Sequence, residues 1–189
     1  MPGYYEKALR RFQPNTPATP EDAPYAWTPP QYGAPVQYAK DDDKSMPFTD
    51  ADTKRIWEIV GTFLFVARVV DPTILVALST IATQQAKCTA KTMADVTQLL
   101  NYVATHPEPM IRFKRSDMQL EISTDASYLS ETKSRSRAAG YHYLSNFHPT
   151  RPILPEDPLP MMNGPVHVHC SIMPMIVSSA AEAETGGAY

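Results

Sequence analysis

Between residues 50 and 105 the apolar positions recur every three or four residues, the period of helices that bury one face. Ile56, Ile59, Val60, Phe63, Leu64 and Ala67 share such a face, and Asp50 or Asp52 is placed to cap the helix that carries it. Asp71-Pro72 stops this helix and opens a second, with Asp71 as cap and Pro72 in the first turn. The second carries Ile74, Leu75, Leu78, Ile81 and Ala82. A third runs from about Thr89 to Thr105 with Met93, Val96, Leu99, Leu100 and Val103 on one face, and His106-Pro107 ends it. Amphipathic helices joined by turns this short are expected to bury one another.

After residue 109 the period changes to two. Met110 to Phe113 is a short strand candidate, followed by a turn at Arg115-Ser116-Asp117. From Met118 onward Leu120, Ile122 and Thr124 alternate with Gln119, Glu121, Ser123 and Asp125. Gly140 to Leu144 and Val166 to Ile172 predict two further strands, and the Ala/Glu composition from Ser178 onward predicts a short helix. Helices first, then a mainly antiparallel sheet with one short helix after it, make an α+β chain.

Proline changes this picture at two places. Of 19 prolines, seven fall between Pro14 and Pro35 and six between Pro149 and Pro165. Each removes a backbone donor and fixes φ, so these stretches predict an extended connector and a surface loop. The expected organisation is an N-terminal helix and proline-rich connector (1–48), a helical segment (49–109), and a sheet-bearing segment (110–189) with a proline-rich loop at 149–165.

Charge and cysteine content narrow the function classes. A net charge of −3 excludes a strongly basic nucleic-acid coat or polybasic membrane binder as the whole activity. Cys88 and Cys170 alone make neither a disulfide framework nor a four-cysteine zinc site. The opening MPGYYEKALRR has no apolar core of signal-peptide type, and Arg68 and Asp71-Pro72 break the longest apolar tract. A reduced, soluble intracellular protein, cytoplasmic or nuclear, is the expectation.

Four groups of residues carry candidate chemistry. Asp125 is read as the polar end of its strand, and Glu184 lies in the short C-terminal helix. Ser179-Ala-Ala-Glu182 has capping-box spacing, which engages Glu182 and leaves Glu184 for another role. A strand-end and a helical carboxylate suit Mg2+, an oxygen-seeking ion, although two solvated acids is the plainer reading. His167-Val168-His169-Cys170 holds zinc-type ligands, but a strand puts the two histidines on one face and Cys170 on the other. With no second ligand pair at suitable spacing, a half-exposed strand is the preferred reading. Asp41-Asp42-Asp43 reads as a solvated acidic run, because its spacing from Tyr38 does not make a polymerase Tyr-x-Asp-Asp turn. Arg112, Lys114, Arg115, Lys133, Arg135 and Arg137 are candidates for phosphate contacts or for surface ion pairs.

In order and spacing, several segments resemble copia-type LTR retrotransposon polyproteins. IVGTFLFVARVVDPTILVAL resembles the run that follows the polymerase palm, and TQLLNYVATHPEPMIRF is similar to the helix and strand after it. STDASY is similar to the opening of that family's ribonuclease H domain, SRSRAAGYHYLS to its Ser/Arg-rich turn and Gly-Tyr strand, and SSAAEAE to its helix start. MPGYYEKALRRF resembles the end of the reverse transcriptase portion. The resemblance implies a helical post-palm connection followed by a truncated ribonuclease H-like sheet. It also implies a parent activity of RNA-directed DNA synthesis with cleavage of RNA–DNA hybrids.

In such domains a strand Asp and a helical Glu, with two further Asp, hold two Mg2+ ions that activate water and stabilise the leaving oxygen. The resemblance carries these roles to Asp125 and Glu184. Glu182 is the fallback, because this helix start is one Ala longer than the family's pattern. The departures are as informative as the matches. No Tyr-x-Asp-Asp turn is present, and the sequence reaches Tyr189 before the later Asp positions. The expectation is weak Mg2+ binding, no catalysis by this chain alone, and an exposed apolar sheet face. Implied partners are an RNA–DNA hybrid or other nucleic acid, with no membrane, and the remainder of the polyprotein. The alternative is a non-catalytic module of retroelement origin that binds nucleic acid or protein.

Overall fold

A computed structural model describes residues 2–14, 19–26, 43–146 and 161–188. Much of the proline-rich connector, Asp41 and Asp42, and residues 149–160 of the predicted loop lie outside the described residues. The helical half is built from α1 (Tyr4–Phe12), α2 (Asp50–Val69), α3 (Leu75–Gln84) and α4 (Ala90–Thr105). Thr49 caps α2, accepting from the Asp52 backbone N–H, so the cap falls one residue before the expected Asp50. Asp71 caps the short 3-10 turn Pro72–Ile74 that leads into α3, as the Asp-Pro step predicts. Thr89 caps α4 in a capping box closed by Thr92.

The core of this half draws on a fourth helix. Tyr5, Ala8 and Phe12 of α1 are buried in one cluster with Ile59, Phe63, Leu78 and Leu99. The Tyr5 and Phe12 rings tilt against Phe63 with centroids 5.8 and 6.4 Å away. The Tyr5 hydroxyl donates to Asp71 Oδ2 at 2.5 Å, tying α1 to the α2–α3 turn through a buried carboxylate. No helix among the described residues is long and apolar enough to cross a membrane.

The other half is a three-stranded antiparallel sheet in the order β1 (Gln119–Glu131), β2 (Arg135–Ser145), β3 (Pro165–Ile172). The chain is therefore α+β, with five helices and one sheet among the described residues. A tight turn, Thr132–Ser134, with Lys133 and Ser134 at positive φ joins β1 to β2. Met110 to Phe113 is not a strand. Pro107 and Pro109 just before it lack backbone donors, and just after it the main chain of Lys114 is held by the Asn163 side chain. Its Oδ1 accepts from Lys114 N at 2.6 Å while its Nδ2 donates to the Lys114 and Leu144 carbonyls.

Alternation assigns each face of the sheet. Val168 and Cys170 of β3 pack on the helical core, so their face is turned toward α2 and α3. The opposite face carries α5 (Ala180–Ala188), whose buried Ala183 and Gly187 meet the sheet near Ala126 and Ala138. Two glycines in a short helix cost about 1 kcal/mol each relative to Ala. Here Gly187 permits the close approach, because a Cβ on it would sit 3.3 Å from the Ala138 Cβ and 3.6 Å from the Ala126 Cβ. Beyond α5 the same face is left open by the described residues, with Leu120 and Ile122 56% and 54% exposed.

Candidate functional site

Asp125 lies in the middle of β1, opposite Ala139, and not at a strand end. It is exposed. Since Ala126 faces α5, alternation turns the Asp125 side chain toward the other face. What α5 reaches at this position is the Asp125 main chain, with the Gly187 Cβ position 3.8 Å from its carbonyl oxygen.

Glu184 is exposed on α5, next to the buried Ala183. Glu182 reaches back as its spacing predicts, but to Ser178 and not to Ser179. Its Oε2 accepts from the Ser178 hydroxyl and backbone N–H, both at 2.7 Å, while Ser179 Oγ accepts from Glu182 N at 3.1 Å. The Ser178 hydroxyl and then its backbone N–H hold the Glu182 carboxyl below its ordinary pKa. The carboxylates implied for Mg2+ are thus a capping group, an exposed helical acid and an acid on the opposite sheet face. They form no single oxygen-ligand set in this structure, and no metal-assisted step follows from them.

The basic residues divide into two groups and lose one member. Arg112, Lys114 and Arg115 are exposed before β1, and Lys114 is held beside Leu144 through Asn163. Lys133 is exposed and Arg135 half-buried at the other end of the same strand. A strand of 13 residues spans about 40 Å, so these are two separate spots. Arg137 is not available to a phosphate. It is 9% exposed, and its Nε donates to Glu131 Oε1 at 2.8 Å. Nη2 donates to Thr80 Oγ1 at 2.9 Å, and Nη1 donates to Ser79 Oγ and lies 3.5 Å from Cys170 Sγ. Burial opposes the Arg137 charge, but the hydrogen bonds to Glu131 and Cys170, with the Glu131 charge, outweigh it and raise the pKa above its ordinary value. Arg137 is therefore a bolt between the sheet and α3.

The sheet assembles one cluster that the strand-by-strand reading missed. In the β2–β3 register His142 pairs with His167, and Gly140 pairs with His169. All three imidazoles stand on the face that carries α5, while Cys170 takes the other face as expected. Ring centroids are 5.1 Å apart for His142 and His167, and 6.1 Å for each of the other two pairs. Among the described residues this is the group of three or more His, Cys, Asp or Glu side chains that comes within metal-ligating reach. Burial first, and then the neighbouring His142 and His167, lower the His169 pKa below its ordinary value and favour the neutral imidazole. The missed signal is His142 itself, in Tyr141-His142-Tyr143, which needs the pairing register before it joins His167 and His169.

No protein-family model, curated protein or solved structure matches the chain.

Proposed function

We propose that these residues belong to the reverse transcriptase/ribonuclease H part of a copia-type retrotransposon polyprotein, and that they bind an RNA–DNA hybrid without cleaving it. The observation that carries this reading is the order of elements. Three antiparallel strands in sequence order are followed by a helix seated on the first of them, at Asp125. That is the succession the STDASY, SRSRAAGYHYLS and SSAAEAE resemblances imply. The five accessible cations Arg112, Lys114, Arg115, Lys133 and Arg135 are the groups that would meet phosphates.

Absence of cleavage follows from where the carboxylates stand. Two-metal hydrolysis needs its ligands convergent on ions roughly 4 Å apart. Asp125 and Glu184 are the two acids the resemblance assigns within these 189 residues, and the sheet lies between Asp125 and α5. The parent activity then requires carboxylates from elsewhere and a rearranged Asp125.

The test is incubation of the chain with a labelled hybrid and Mg2+, followed by a binding titration at several salt concentrations. Retention of intact hybrid with salt-sensitive binding supports the reading. Mg2+-dependent cleavage abolished by Asp125→Asn and by Glu184→Gln overturns the non-cleaving assignment, and no binding at low salt overturns the hybrid assignment.

A further inference from the structure

The three imidazoles do not belong to the carboxylate chemistry discussed above, and two features mark them as more than an accident of register. The first is an orphaned nitrogen. His142 Nε2 is buried and has no hydrogen-bond partner among the described residues. A buried polar atom left without a partner carries a desolvation cost, which a ligand bond removes. The second is a space kept for a ring. A Cβ at Gly140 would lie 2.3 Å from His169 Cε1, 2.7 Å from its Nδ1 and 3.2 Å from His142 Nε2. The absence of a side chain at residue 140 lets the His169 ring lie over the β2 backbone beside His142.

Distances fit a shared ion after a small adjustment. The ligand nitrogens all lie within 4.8 Å of one another. Tetrahedral coordination at the usual Zn–N length asks for nitrogens about 3.3 Å apart. His167 is exposed, so its side-chain torsions can supply the closure.

We propose that His142, His167 and His169 form a binding site for one divalent first-row transition ion of the Zn2+ class. Imidazole nitrogens suit Zn2+, Cu2+ and Ni2+, whereas a set without oxygen ligands disfavours Mg2+. Three protein ligands leave at least one coordination position open, and beside the exposed His167 water or an anion has access to it. Cys170 is adjacent to His169 in sequence but faces the helices, beside Arg137, and is not a ligand. The assignment is independent of hybrid binding.

The purified chain titrated with Zn2+ alone tests it, with Co2+ as a spectroscopic stand-in. Expected is one ion per chain, undisturbed by excess Mg2+. His142→Gln and His167→Gln should each weaken binding at least about tenfold, and Cys170→Ser should leave it unchanged. His167 is exposed, so His167→Gln reads metal binding in a folded chain even if His142→Gln disturbs packing. The proposal is overturned by absence of stoichiometric Zn2+ binding, by binding that survives His167→Gln, or by a thiolate-to-Co2+ charge-transfer band that Cys170→Ser removes.

Discussion

Gly140 and His169 face each other across β2 and β3, and the glycine's missing side chain is the space in which the imidazole lies. The relationship yields a prediction that separates the metal site from the fold. Gly140→Ala places a methyl against a side-chain ring and not against backbone, so the ring moves aside and the sheet persists. Zn2+ affinity should fall at least about tenfold while the far-UV circular dichroism spectrum is retained. Unchanged affinity in the folded variant would remove Gly140 from the account of the site.

The Arg137–Glu131 pair should behave as structure and not as a nucleic-acid contact. Their side chains are 10% and 7% exposed, so removing one charge strands the other. Glu131→Gln is expected to destabilise the chain by about 3–5 kcal/mol in denaturant unfolding. In a hybrid-binding titration the exposed Lys114→Gln and Lys133→Gln should each weaken binding and reduce the salt slope. If Arg112, Lys114, Arg115, Lys133 and Arg135 each meet one phosphate, the slope of log K against log salt should be about −4.5, and each removed cation should make it about 0.9 shallower.

Tyr5 predicts an alkaline limit to stability. Burial first, and then its hydrogen bond to Asp71, raise the phenol pKa far above its ordinary value. A pKa raised on folding gives stability that is complete below the unfolded value of about 10 and is lost as pH climbs above it. Tyr5→Phe leaves the buried Asp71 carboxylate one donor short and should cost about 1–3 kcal/mol at neutral pH. The variant should also lose part of the fall in stability between about pH 9 and 11, read from denaturant midpoints at each pH.

The seat of α5 depends on a side chain being absent. Gly187→Leu would drive four carbons into the Ala126–Ala138 surface, and overpacking of this kind costs about 1–3 kcal/mol. Faster amide exchange and earlier proteolysis confined to residues 178–188 are the expected readout. Protection equal to that of the unsubstituted chain would show that the helix is not seated there.

Local signals made the helices legible in advance. Asp71-Pro72 marked both a stop and a start, and the three-and-four spacing marked the buried faces of α2, α3 and α4. An N-terminal helix is expected from the sequence, but the buried face formed by Tyr5, Ala8 and Phe12 is not, because a nine-residue helix is held only through tertiary contacts. The strands were legible by alternation, apart from Met110 to Phe113, which follows two prolines and runs into a Lys114 main chain held by the Asn163 side chain. Sites were harder. Arg137 stands in a basic run like its neighbours, and only the approach of α3 to the sheet reveals that it is buried. His142 lies 25 positions before His167 in the numbering, and nothing local links them until β2 and β3 pair.

The central claim is that this chain's metal chemistry lies with its imidazoles while its carboxylates stay apart. The most direct measurement is an NMR titration of the labelled chain with Zn2+ and, separately, with Mg2+. The account predicts that Zn2+ moves the His142, His167 and His169 imidazole signals together with the Gly140 amide, and that Mg2+ leaves Asp125 and Glu184 where they were. Mg2+ moving Asp125 and Glu184 in concert, with the three imidazoles indifferent to Zn2+, would contradict it.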